Sequence, residues 1–212
     1  MRKVAPSLVA ADLSCLARVI TDLEAAGADR IHLDVEDGVF VPNLTFGFPI
    51  LRTVRALTNL PVEVHLMVAD PEPYLSRFSE SGADVITVHL EALPYPRRVL
   101  AAIRKLGKSA HLALTPRTSV AEAECVVDLA DGLLLMTSEP DEIGESFIPG
   151  SVERLRLARA MVPALEITVD GGITPAVVGE LWAAGASTVV AGRAIFGAVD
   201  MVEAMRLLRV KT

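Results

Sequence analysis

Three stretches of this chain repeat one junction: AAGADRIHL at residues 25–33, ESGADVITV at 80–88 and AAGASTVVA at 183–191. In each, a glycine closes an amphipathic segment and an apolar run follows almost at once. A left-handed residue just past a helix favours glycine, so each junction reads as a helix stop feeding directly into a strand. Such recurrence marks an internally repeated βα unit, which restricts the possible folds more than any other feature of the chain. Runs suited to strands are KVAPSLV, RIHLDV, VEVHLMV, DVITVHL, SAHLALT, GLLLMT, LEITVD and STVVAG. Most are nearly continuous apolar stretches, as expected of parallel strands covered on both faces. Between them lie helical patterns such as Leu13, Leu16, Ile20 and Leu23, spaced to form one apolar stripe.

Eight strand candidates with intervening helices in 212 residues predict an α/β fold of one kind, a single (β/α)8 TIM barrel occupying residues 1–212 as one domain. A doubly wound open sheet is the rival. It would need a topological switch point, and no glycine fingerprint follows the first strand. With 51% hydrophobic and 22% charged residues, the chain can bury one large core. A net charge of −7 and the absence of a basic run argue against nucleic acid and anionic membrane as partners.

Cys15 and Cys125 make neither a disulfide framework nor a metal-site spacing, and read as packing residues in a reducing compartment. Basic residues precede apolar ones at the N-terminus, but Pro6 and Asp12 break the apolar run, and no stretch reaches transmembrane length. A soluble cytoplasmic protein is expected.

In barrels of this kind chemistry gathers at the C-terminal ends of the strands. His32 and Asp34 are two apart on one strand and so share a face. His65 ends the third strand and Asp170 the seventh, so four groups would converge from three strands. Buried imidazoles and carboxylates without partners are costly. A divalent cation is one arrangement that satisfies all four, and separate hydrogen bonding of each is the other. His89, closing the fourth strand, can line the same pocket, while His111 reads as structural.

The stretches APSLVAADLSCL, IHLDVEDGVFVPNLTFG, VEVHLMV, GADVITVH, VDGGI and VAGRAIFG closely resemble the ribulose-phosphate 3-epimerase family, in order and nearly end to end. The resemblance implies a barrel enzyme binding one divalent cation (zinc, iron, manganese or cobalt) through His32, Asp34, His65 and Asp170. It implies Asp34 and Asp170 as the acid–base pair that removes and returns a proton at C3 of a ketose phosphate through an enediolate. The default substrate pair is D-ribulose 5-phosphate and D-xylulose 5-phosphate. Ser7 and His65 are implied to contact this sugar phosphate, and Met67 and Met136 to shield the reacting face. Gly144, Gly171, Gly172, Gly192 and Arg193 fall where the phosphate is held, and a homo-oligomer is the expected assembly. Asp37 reads as the residue that fixes the loop EDGVFVPN.

Three positions depart from the family pattern. Glu36 replaces a methionine, and strand alternation is read as turning it away from Asp34 unless the loop returns it to the pocket. The loop SEPDEIGESF keeps only Gly144 of a glycine-rich lid and adds Glu139, Asp141, Glu142 and Glu145. Arg193 stands where serine is common, either as a phosphate clamp or paired with that acidic loop.

These departures keep open the same proton chemistry on another ketose: a hexulose 6-phosphate, a tetrulose phosphate or an unphosphorylated sugar. A barrel decarboxylase fits poorly, because HLDVED has no lysine nearby. A binding protein that has lost activity fits poorly with retention of all four presumed ligands.

Overall fold

The computed structural model describes residues 2–140 and 146–210. Its strands are β1 (Lys3–Pro6), β2 (Ile31–Glu36), β3 (Val62–Met67), β4 (Val85–His89), β5 (Ser109–Leu114), β6 (Gly132–Met136), β7 (Glu166–Asp170) and β8 (Thr188–Ala191). They form one eight-stranded sheet in the order β1-β8-β7-β6-β5-β4-β3-β2. Every strand pairing is parallel, and β1 meets β2 through an isolated parallel bridge between Ser7 and His32. The ring therefore closes next to a residue of the expected site. An open doubly wound sheet would leave β1 and β8 apart, whereas here Lys3 sits opposite Thr188. The (β/α)8 barrel is the fold.

The helices are α1 (Leu16–Ala25), α2 (Phe48–Leu57), α3 (Leu75–Glu80), α4 (Pro96–Lys105), α5 (Ser151–Met161), α6 (Pro175–Ala184), α7 (Arg193–Phe196) and α8 (Met201–Arg209). Among the described residues, none is long and apolar enough to cross a membrane. Helix α1 buries Leu16, Val19, Ile20 and Leu23, so most of the anticipated stripe faces the sheet. Leu13 does not belong to it: it lies in a preceding 3₁₀ turn and is 42% exposed. Between β5 and β6 the chain crosses in two 3₁₀ segments, Val120–Ala123 and Val127–Leu129. The first is opened by a capping box in which Ser119 and Glu122 satisfy each other's backbone donors. Both cysteines are exposed rather than packed. Cys15 precedes the buried stripe of α1 and so falls outside its apolar face.

Strand alternation divides the buried residues into two groups. One side of the sheet packs on the helices through residues such as Leu33, Val64, Ile86, Leu112, Leu133 and Val169. The barrel interior holds a smaller apolar cluster of Val41, Met67, Ala113, Leu134 and Met136. Below that cluster the interior is polar. Arg30 reaches Glu63 at 3.1 Å and also pairs with Glu166, which accepts from Lys3 at 2.8 Å and from Thr188 at 3.0 Å.

The junction glycines behave as their sequence predicts, with φ of +79° at Gly27, +110° at Gly82 and +108° at Gly185. At Gly82 a second constraint applies, because a Cβ would lie 2.4 Å from Cγ of Arg55. Arg55 cannot easily withdraw. It pairs with Asp84 at 2.8 Å and donates to the carbonyls of Thr58 and Leu60. Gly107, with φ of +73°, has nothing within 4 Å of that point. Gly82→Ala is therefore expected to cost about 2–3 kcal/mol and Gly107→Ala only about 1 kcal/mol, measured by urea unfolding. Equal losses would remove the Arg55 contact from the explanation.

Candidate active site

Strands β2 and β3 lie side by side with His32 opposite Glu63, Asp34 opposite His65 and Glu36 opposite Met67. Because alternate residues share a face, these pairs form three layers rising toward the C-terminal mouth. The middle layer meets Asp170 from the end of β7. His32 Nε2 and His65 Nδ1 each lie 3.1 Å from Oδ1 of Asp34, and 3.6 and 3.5 Å from Oδ2 of Asp170. One donor atom from each of the four residues lies within 4.8 Å of all the others. Ser7 completes the group, its hydroxyl donating to Oδ2 of Asp34 at 2.5 Å.

Two imidazole nitrogens and two carboxylate oxygens at this separation suit a divalent cation in chemistry and in spacing. The electrostatics agree. Burial disfavours charge on Asp34, but His32 and His65 outweigh it and hold the carboxyl well below its usual range. Burial likewise opposes charge on His65, yet Asp170 and Asp34 raise it to about 9. His32 is raised well above an ordinary histidine for the same reason, with Asp34 and Glu63 against burial. The aspartates thus draw positive charge to one point. A cation ligated by the same atoms supplies that charge in place of the imidazole protons.

A cavity of about 440 Å³ opens above the cluster. Among the residues singled out from sequence, it is lined by Ser7, Asp34, Met67, Met136, Asp170, Gly171, Gly172, Gly192 and Arg193. His32 and His65 are fully buried beneath it. Gly144, with Asp141, Glu142 and Glu145 of the acidic loop, lies outside the described residues, while Glu139 lines the cavity. Gly171 has φ of +113°, and a Cβ there would stand 2.3 Å from Oγ of Ser138, so glycine lets this loop lie against β6's exit.

Glu36 also lines the cavity beside Asp34. The expectation that it turns away inverted the strand period, since positions two apart point the same way. Asn43 donates to its carboxylate at 2.9 Å, and burial together with the charge of Asp34 raises its pKa. Asp37 fixes the loop as its position suggested, accepting from the backbone N–H of Val39, Phe40 and Ala69, each at 2.8 Å. The loop so held packs Phe40 on the interior apolar cluster.

His89 does not line the cavity; it is buried behind His65, with the two Nε2 atoms 2.8 Å apart. Sequence reasoning missed Glu63, which accepts from His32 Nδ1 at 3.2 Å, and Glu91, 3.3 Å from His89 Nδ1. Glu63 had a signal: an acid two positions before His65 in an otherwise apolar strand. Glu91, just past a strand end, had none.

The fold and this cluster define a class: a (β/α)8 barrel that brings two imidazoles and two carboxylates together at a spacing suited to a divalent cation. The particular family follows from sequence comparison. The profile of the Ribulose-phosphate 3 epimerase family matches residues 3–196. The chain is 40% identical to the ribulose-phosphate 3-epimerase of Bacillus subtilis over 99% of both chains. It is 42% identical to that of Synechocystis sp. over 97% of this chain and 92% of the relative. Among solved structures, a 3-hexulose-6-phosphate synthase shares the fold with a TM-score of 0.73 at 22% identity, covering 98% of each chain. The chain belongs to the ribulose-phosphate 3-epimerase family, and it is an isomerase. The family is metal-dependent, and the four-residue cluster can hold a metal ion.

Glu166 anchors the polar layer under the cluster, and its pKa is lowered to about 2: burial pushes up, but Arg30 and Lys3 outweigh it. A depressed carboxylate adds stability that is full above its unfolded pKa and is lost as pH falls through the folded one. Glu166→Gln is accordingly expected to cost about 2 kcal/mol at neutral pH, the gap from wild type closing as pH falls from about 4.5 towards 2. Unfolding curves across that range test it; a gap constant with pH would remove the charge from the account.

Proposed function

We propose that this protein interconverts D-ribulose 5-phosphate and D-xylulose 5-phosphate, a carbohydrate epimerisation at C3. The observation that carries the reading is the convergence of His32, Asp34, His65 and Asp170 at the mouth of the barrel, in a chain of this family. These four would hold one divalent cation (zinc, iron, manganese or cobalt), which when bound supplies positive charge to stabilise the negative charge developing on the substrate oxygens.

The chain's own residues do the rest. Asp34 takes the proton from C3 and Asp170 returns one to the opposite face; the reverse reaction exchanges their roles. The hydroxyl of Ser7 orients Asp34 through the 2.5 Å bond and contacts the sugar. Met67 and Met136 present apolar surface beside the two carboxylates, keeping water from the planar intermediate. Backbone amides of Gly171, Gly172 and Gly192, with the Arg193 guanidinium, hold the phosphate, and Gly144 belongs to the same set. The reading takes residues 1–212 as one barrel domain, working in the cytoplasm as a homo-oligomer on a sugar phosphate. Relatives 40% and 42% identical support ribulose phosphate over another ketose.

Asp34→Asn and Asp170→Asn are each expected to lower kcat by about 10²- to 10⁴-fold while the protein stays folded. Loss of solvent deuterium incorporation at C3 is the direct measure; full exchange in either variant would take that residue out of the mechanism. Arg193→Ala is expected to raise KM for the phosphorylated ketose and leave the free sugar unaffected. Equal effects on both would show that Arg193 is not a phosphate clamp. Chelator treatment should abolish activity, with return on adding back one of the four cations; activity indifferent to chelators would sink the metal reading.

A further inference from the structure

Behind the cluster, a buried chain of side chains runs from His65 to the β4 loop. His65 Nε2 lies 2.8 Å from His89 Nε2, and His89 Nδ1 lies 3.3 Å from Oε2 of Glu91. The other carboxylate oxygen, Oε1, accepts from the Thr115 N–H at 2.8 Å, from the Thr115 hydroxyl at 2.7 Å and from the Thr118 hydroxyl. Both imidazoles are fully buried, and the Glu91 side chain is 8% exposed. Glu91 lines a second, open cavity, so solvent reaches the outer end of the chain but not its two imidazoles.

We propose that Glu91, acting through His89, selects the tautomer of His65 and so makes its Nδ1 a lone-pair donor facing Asp34 and Asp170. Glu91 is thereby a positioning residue for the cation site, and the inference rests on the metal reading above. The reasoning follows from donor and acceptor capacity. A carboxylate only accepts, so the proton of neutral His89 sits on Nδ1 and its Nε2 carries the lone pair. The nitrogen 2.8 Å away must then donate, which puts the His65 proton on Nε2. Neutral His65 is left with a lone pair on Nδ1, the nitrogen 3.1 Å from Asp34. A ligating histidine is commonly fixed by the partner of its other nitrogen, and here that partner is relayed through a second ring.

His32 obeys the same rule by a shorter route. Its Nδ1 faces Oε2 of Glu63, which leaves Nε2 as the nitrogen facing Asp34. Glu63 is itself held by Arg30 and by the Thr87 hydroxyl at 2.6 Å. Each imidazole of the cluster is thus backed by an anchored carboxylate.

Glu91→Gln provides the test, because it keeps shape while removing one negative charge and reversing the donor pattern at His89. The Thr115 N–H can only donate, so the new amide oxygen stays on that side and the NH₂ turns to His89 Nδ1. His89 must then accept there and donate from Nε2, and His65 must carry its proton on Nδ1. The expected result is zinc binding weakened by about 10- to 100-fold in chelator competition, with thermal unfolding close to wild type. Folded Glu91→Gln binding zinc within twofold of wild type would overturn the relay while leaving the metal reading intact. Wild-type protein that binds none of zinc, iron, manganese and cobalt would overturn both. Should the variant not fold, ¹⁵N–¹H spectra of zinc-loaded wild type decide: protons on His65 Nε2 and His89 Nδ1 support the relay, and the opposite tautomers overturn it.

Discussion

The in-register parallel pairing of β2 with β3 is the constraint on which the rest depends. It sets His32 beside Glu63, Asp34 beside His65 and Glu36 beside Met67. A slip of β2 by one residue would turn His32, Asp34 and Glu36 to the other face of the sheet. Leu33 and Val35, which now pack against or toward the helices, would take their place. Register is fixed by that same apolar set. The hydrophobic effect that seats the helices therefore also decides which way the charged groups point.

Inside the barrel, charge is stacked rather than dispersed. Glu166 carries Lys3 and Arg30, Arg30 bridges to Glu63, and Glu63 accepts from His32 below Asp34. Each member would be costly alone in a medium of low polarity, and each has an opposite neighbour that repays the loss of water. The consequence for chemistry is that the carboxylates at the mouth are placed by a column of side chains with few alternative arrangements. Rigid placement of reacting groups is what proton transfer at a single carbon requires.

Much of this was legible beforehand because it is periodic. The eight strands follow from apolar runs, and Gly27, Gly82 and Gly185 announce their left-handed conformations through the helix stops they make. The four-group cluster was visible because its members interrupt apolar runs on three strands that face one barrel interior, although only Asp170 closes its strand. What was not legible depends on partners distant in sequence. Glu91 acquires its place only through His89 and the Thr115 loop, and no local spacing encodes that encounter. The β5–β6 crossover lacks the helical stripe of its counterparts and winds into 3₁₀ turns instead. Cys15 and Cys125 looked like packing residues by type, but Cys15 caps the start of α1 and Cys125 lies between two 3₁₀ turns, and both are exposed. Glu36 enters the cavity through the ordinary two-residue period of β2, which sets it on the same face as Asp34.

Lys3 pairs with Thr188, and Ser7 bridges to His32 while bonding Asp34. Within this barrel β1 finds its β8 neighbour only after the seven strands that follow it have been made. Ser7 reaches Asp34 from the end of that same strand, so ring closure and assembly of the pocket are one event.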